Sequence, residues 1–142
     1  VKIGITAVQL LGVRDNVHTS QTNLGTLIAN SMLDIAGADI ALMNGGGIRD
    51  SIPPGDILKD HIFKVLPFGN YTQTIEVAGA DIKAALENGV GKLPAPDGRY
   101  PHVTGSPRSR TPGIRMAISP GTNFLKIVFV ALDKNNKLVY KY

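Results

Sequence analysis

The residues best equipped for chemistry fall in two short stretches, Asn44-Gly45-Gly46-Gly47-Ile48-Arg49 and Leu66-Pro67-Phe68-Gly69-Asn70. An amide, a guanidinium and an aromatic ring stand there at the ends of apolar runs. Three consecutive glycines leave the backbone bare and free to take positive φ. A guanidinium offers a planar fork to oxyanions, and an aromatic face accepts a flat ring whatever base it belongs to. The glycine loop carries no acid, nucleophile or metal ligand. The set suits the holding of a polar ligand with a flat ring better than the breaking of a bond.

Other routes to catalysis are poorly served. His18, His61 and His102 lack metal-ligand spacing, and no Asp-x-His or His-x-x-x-His occurs. The serines have no Gly-x-Ser-x-Gly setting. Asp56 and Asp60, near His61, read as the exposed face and cap of a short helix. The glycine run lacks the Lys-Ser/Thr of a P-loop and the spacing of a dinucleotide fingerprint.

These residues must be positioned by one domain. The chain has 142 residues, 43% hydrophobic and 18% charged, which is the size and balance of a globular unit with its own core. Its longest apolar runs, such as 127–132, are too short for a bilayer, so no membrane span is expected. Without cysteine there are no disulfides or thiolate metal sites, and the redox compartment stays open. A start at Val1 implies processing or excision. Of the net charge of +4, much comes from Arg99, Arg108, Arg110 and Arg115. A polyanion could meet them. A solvated loop is the preferred reading of 99–115, since no aromatic stripe is present to stack bases, and no nucleic acid polymer is expected as a partner.

Lys2–Val8 reads as a strand, with a boundary at Gly12. Leu24, Leu27, Ile28, Met32 and Ile35 have helical spacing, with Thr22 or Asn23 as N-cap and Gly37 as the stop. Ile40–Met43 is a buried strand, 51–55 a turn, and 59–65 a short helix stopped before Pro67. Tyr71–Val77 alternates as a strand, and Gly79 turns the chain. Ala80–Val90 is a helix with Ile82, Leu86 and Val90 on one face. Gly91–Pro112 reads as a long loop. Ile114–Ile118, Phe124–Leu132 and Leu138–Tyr142 read as strands, the last two joined by a hairpin turn over 133–137. The fold class is α/β (α+β mixed): a single domain over 1–142 with a mixed β-sheet flanked by helices. Because the chain ends on a strand, truncation at its C-terminal end is expected.

Gln21-Thr22-Asn23-Leu24-Gly25, Asn44-Gly45-Gly46-Gly47-Ile48-Arg49-Asp50 and Leu66-Pro67-Phe68-Gly69-Asn70, in this order and spacing, closely resemble the C-terminal domain of the 5′-nucleotidase family. The likeness is firm over 10–90 and weaker over 91–142. It implies a substrate-binding domain for a nucleotide or nucleoside, acting in nucleotide catabolism. Its partner would be an N-terminal metallophosphoesterase domain of the same polypeptide. That domain would hold two divalent metal ions and perform the hydrolysis, leaving no cofactor in this one, and this piece alone is expected to be inactive. A periplasmic, cell-surface or extracellular location is implied as well.

By the same resemblance, Phe68 stacks on the base and Arg49 reaches phosphate or the polar end of the ligand. Asn44 bonds ligand hydroxyls or orders the loop. Gly46 and Gly47 let Asn44 and Arg49 approach the ligand from a tight turn. Arg14 is a further arginine ahead of the Gln-Thr-Asn motif, and Asn70 lies near the base edge. Two departures stand out. Many members carry arginine at the position of His18 and glutamate at that of Gln21. His18 reads as a surface histidine, with a pH-dependent phosphate contact as the other reading. The family's second stacking aromatic and its Gly-Gly-Asp-Gly-Tyr motif do not follow within this sequence. The clamp is therefore half present, and weak or no affinity is expected of the piece alone. The alternative function is a non-catalytic interaction module that has lost nucleotide recognition, its Arg99–Arg115 loop meeting an acidic partner.

Overall fold

The computed structural model describes residues 1–105 in full and the backbone of 125–130. In chain order the elements are β1 (Lys2–Thr6), α1 (Arg14–Val17), α2 (Asn23–Ala36), β2 (Ile40–Asn44), a 3-10 turn (Gly45–Gly47), β3 (Gly55–Leu58), α3 (Lys59–Val65), β4 (Thr72–Val77), α4 (Gly79–Val90), β5 (Pro101–Gly105) and β6 (Leu125–Val130). The expected α/β class with a mixed sheet is what the chain forms. Four strands run in the order β4-β6-β2-β5, with β2 parallel to β6 and the two outer pairings antiparallel. β1 and β3 make a separate antiparallel ribbon, tied by the Lys2–Asp56 ion pair at 2.8 Å.

α2 forms where the sequence places it. Thr22 has extended backbone, and its hydroxyl accepts the Gly25 N–H at 3.1 Å. Gly37, at φ 58°, ends the helix with its N–H on the Leu33 carbonyl. The buried face differs from the one expected. It is Leu24, Gly25, Ala29, Met32 and Leu33, whereas Leu27 is 45% and Ile35 84% exposed. The helix approaches β2 and β5 along its small residues, Gly25 and Ala29, and this rotates the larger Leu27 and Ile35 away from the core. Leu24, Ala29, Met32, Ala41, Met43, Ile48, Ile52 and Val65 belong to one hydrophobic cluster, joined by Leu10 and Val17.

α3 has its expected bounds, and α4 begins one residue early, at Gly79. On α4, Ile82 is buried but Val90 is exposed. Gly89 meets β5 instead, with room for a side chain closed to 3.0 Å by Pro101 Cδ. β5 lies inside the stretch expected to be loop. Pro101 is tolerated as the first residue of an edge strand, and pairing with β2 supplies what local sequence does not. β6 falls within the expected strand over 124–132. The expected strands at 114–118 and 138–142 and the hairpin turn lie outside the described residues. No helix among the described residues is long and apolar enough to cross a membrane.

The register decides where the candidate residues meet. Met43 and Thr72 both face Val130, from opposite sides of β6, and Asn44 faces Pro101. The turn that follows β2, the segment that precedes β4 and the start of β5 therefore share one end of the sheet.

Candidate functional site

The glycine triplet works differently from its sequence expectation. None of Gly45, Gly46 and Gly47 has positive φ; among the described residues the positive-φ glycines are Gly37, Gly55 and Gly69. The triplet is bare because other chain segments press on it. A Cβ on Gly45 would lie 2.0 Å from the Val17 carbonyl oxygen, and one on Gly46 would lie 3.2 Å from Gly98. One on Gly47 would meet the Met43 methyl at 2.5 Å. The conformational role passes to Gly69, at φ 60°, which turns the chain between Phe68 and Asn70.

Loop 97–100 brackets this turn. Gly45 N–H donates to the Tyr100 carbonyl at 2.8 Å and Gly46 N–H to the Gly98 carbonyl at 2.9 Å. Asn44 Nδ2 also donates to the Gly98 carbonyl, at 3.3 Å. Of its two expected roles, then, Asn44 fills the ordering of the loop. Arg99 staples the bracket: its Nε and Nη2 reach the two oxygens of Asp97 at 3.0 and 3.2 Å, and its backbone N–H adds a bond at 2.8 Å. The Arg99 side chain and backbone together hold the Asp97 carboxyl down to about 2. Arg99 is thus engaged within the fold. Arg108, Arg110 and Arg115 lie outside the described residues.

Beyond the triplet, the Arg49 N–H donates to the Val65 carbonyl at 2.9 Å, anchoring the segment on the end of α3. Its guanidinium lies over the Phe68 ring, 5.5 Å from the centroid, with Nη1 at 3.5 Å from the Gly46 carbonyl. The ring is 56% exposed. Arg14 opens α1, and the His18 N–H closes that turn on the Arg14 carbonyl at 3.0 Å, so the two side chains leave one face. Arg14 and Arg49 both act on His18, and their charges, after burial, hold its imidazole below the ordinary histidine range against the opposing pull of Asp97 and Asp15. His18 is 6% exposed, so the surface-histidine reading is corrected. Burial comes from the glycine turn and loop 97–100, both remote from it in sequence. Asn70 is exposed, and no hydrogen bond, ion pair or ring contact joins it to the others.

The Gln21–Gly25 motif builds the frame rather than the site. Gln21 acts as a substitute strand for β5, donating from Nε2 to the Val103 carbonyl at 2.8 Å and accepting the Val103 N–H at 3.4 Å. Asn23 clamps the approach from β1, accepting the Leu11 N–H and donating to the Gln9 carbonyl, both at 2.8 Å. Gly25 leaves space for His102, a fully buried ring with Nε2 at 2.9 Å from the Val17 carbonyl and Nδ1 at 3.4 Å from the Thr22 N–H. A neutral ring with the proton on Nε2 satisfies both contacts. His102 therefore ties β5 to the turn that carries Arg14 and His18. Its histidine type gave no sign of this at the sequence level, where it fell within a stretch expected to be loop.

Both buried histidines affect stability. Burial pushes His102 down, against the hydrogen bond to Val17, and His18 is lowered as well. The unfolded chain then takes up protons near pH 6.5 that the folded chain refuses. Stability is complete above that pH and falls below it, by at most about 1.4 kcal/mol per unit for each histidine. Urea midpoints should be level from pH 8 to 7 and decline from 6.5 to 5. A level midpoint across the whole range would contradict the neutral buried rings. Asp97 does not contribute in this window, because its titration lies well below it.

Comparison with known proteins places this arrangement. Residues 2–128 match the family model for the 5′-nucleotidase C-terminal domain. The chain is 44% identical over 108 residues to the trifunctional nucleotide phosphoesterase protein YfkN of Bacillus subtilis, covering 73% of this chain and 7% of that protein. It is 45% identical over 101 residues to protein UshA of Escherichia coli, covering 71% of this chain and 18% of that one. The crystal structure of a 5′-nucleotidase precursor from Thermus thermophilus superposes with a TM-score of 0.79 at 33% identity, over 91% of this chain and 29% of that one. The chain thus spans less than a third of each of these proteins.

Proposed function

The chain belongs to the 5′-nucleotidase C-terminal domain family, and on that premise we propose that it is the nucleotide-binding domain of a metal-dependent nucleotide phosphohydrolase acting in nucleotide breakdown. The observation that carries this reading is the Arg49–Phe68 pair at the sheet end, with Arg14 and Arg49 both within electrostatic reach of His18. The half-exposed ring offers a face to a nucleobase, and the cations offer charge to the phosphate. Asn70, one residue beyond the left-handed Gly69, belongs near the base edge. Hydrolysis falls to a metallophosphoesterase domain of the same longer polypeptide, where two divalent ions would activate water. An exported location goes with this reading.

The test compares AMP hydrolysis, with divalent metal, by these 142 residues and by the full-length polypeptide. Only the full-length protein should turn over. Hydrolysis by the domain alone, or none by the full-length protein, would overturn the proposal. Within the full-length protein, Phe68→Ala should raise KM for AMP while kcat stays near its parent value. Loss of one base-stacking platform costs about 1–3 kcal/mol, or roughly 5- to 150-fold in affinity.

A further inference from the structure

We propose that Arg99 is a positioning residue of the nucleotide site: by joining Asp97 to α4 it fixes loop 97–100, which holds the glycine turn and so sets Arg49 over Phe68. This rests on the nucleotide-binding reading above and adds to it a residue that acts on affinity without touching the ligand.

Three observations carry it. The Arg99 guanidinium is engaged at three points at once. Its Nε and Nη2 take the two oxygens of Asp97 at 3.0 and 3.2 Å, and its Nη1 reaches Asn88 Oδ1 on α4 at 3.3 Å. The helix also closes on the Arg99 backbone, whose carbonyl oxygen lies 3.1 Å from where a Cβ on Gly89 would stand. Next, the segment so held is a closed turn, with the Tyr100 N–H on the Asp97 carbonyl at 3.0 Å. Its inner edge meets the site's own backbone. The Tyr100 and Gly98 carbonyls accept the Gly45 and Gly46 N–H groups, and the Asp97 N–H donates to the His18 carbonyl at 3.2 Å. Finally, Gly45, Gly46 and Gly47 have no side chains with which to hold their own shape, and Arg49 follows them by two residues. Its guanidinium reaches back to the Gly46 carbonyl at 3.5 Å and lies over the Phe68 ring. A shift of the turn is therefore passed to that guanidinium directly.

The contribution is geometric. Arg99 and Asp97 are paired, so the two together present little net charge to a phosphate. What arginine supplies is a rigid planar fork, which grips both carboxylate oxygens and the Asn88 amide together. Lysine carries the same charge as a point on a flexible stem and cannot hold all three.

The experiment measures KM and kcat for AMP, with divalent metal, on the full-length polypeptide. Arg99→Ala and Asp97→Asn change the net charge in opposite directions. Both should raise KM by about two- to fivefold, the worth of a partly exposed ion pair, with kcat near its parent value. The double variant should be no worse than Arg99→Ala, because the two residues act as one unit. Arg99→Lys should recover little of the loss. Asp97→Asn, which keeps the shape of the side chain, serves if Arg99→Ala does not fold. Hydrogen exchange on the same proteins gives the local readout. Peptides spanning 44–49 should lose protection in Arg99→Ala while those of α2 keep theirs, whereas a general loss of stability would speed both. Opposite shifts in KM from the two charge changes, or full rescue by lysine, would make Arg99 a charge on the phosphate and overturn the proposal. Unchanged KM in these variants while Phe68→Ala raises it also overturns the proposal and leaves the nucleotide reading standing. Unchanged KM in these variants and in Phe68→Ala alike overturns both.

Discussion

Gly45→Ala is expected to cost about 4 kcal/mol or more, enough to leave the chain mostly unfolded or its melting temperature lower by roughly 10–20 °C. The added Cβ would sit 2.0 Å from the Val17 carbonyl oxygen and 2.9 Å from its carbon. Both are backbone atoms, so no rotamer change relieves the overlap. The turn must lift away from α1, and the Gly45-to-Tyr100 hydrogen bond of 2.8 Å is the first to stretch. The same movement would separate Arg49 from His18, so the nucleotide binding proposed above should be lost with stability. Neighbouring substitutions supply the scale. At Gly47 the added atom meets only the end of the Met43 side chain, which can shift. At Gly37 nothing lies within 4 Å, and only the left-handed backbone is strained, at about 1 kcal/mol. Urea midpoints should rank Gly45→Ala well below Gly47→Ala and Gly37→Ala. Equal midpoints would show that the turn is not held by close backbone approach.

The second large effect is expected at Gly25, where a Cβ would lie 2.0 Å from His102 Nδ1 and 2.4 Å from Cγ. The ring cannot retreat, because its other nitrogen is held by the Val17 carbonyl at 2.9 Å. Gly25→Ala should cost about 3 kcal/mol, as overpacking in a closed core does. His102→Ala alone should cost a similar amount, through the cavity and the unpaired Val17 carbonyl. The double variant should be about as stable as His102→Ala alone, since the new methyl fills space that the ring vacates. The coupling would then be on the order of 1–3 kcal/mol. Additive losses would mean that Gly25 is required for some reason other than the ring.

These two substitutions show how the family motifs were legible without their reasons. The order of Gln21–Gly25, Asn44–Asp50 and Leu66–Asn70 identified the domain, and of the glycines in them Gly25 and Gly45 stand where a side chain would overlap a neighbour that cannot move away. The sequence suggested backbone freedom for the triplet. The fold uses the triplet for close approach, from Val17 on one side and Gly98 on the other. Similarly, Asn44 and Gln21 looked like residues facing a ligand or departing from one. Asn44 Nδ2 bonds Gly98 and Gln21 bonds Val103, which lie 54 and 82 residues away. The elements that escaped the sequence reading were the short ones. α1 has four residues, fewer than a stable nucleus requires. β3 also has four, and β5 hides its strand character behind a proline, a histidine and two glycine-rich flanks.

By itself the sequence determined what local physics can write: the cap and stop of α2 at Thr22 and Gly37, the bounds of α3 before Pro67, the mixed class, and an ordered motif set that names the family. Only the tertiary structure decided which cations come near one another. Arg14, His18 and Arg49 come from two segments that meet because the β2 turn packs under α1, and Phe68 joins them because β6 aligns the end of β2 with the start of β4. The burial of His18 and His102 was settled the same way. A histidine's charge depends on how far water and neighbouring charges are from its ring, and those distances are set by chain segments that the local sequence does not contain.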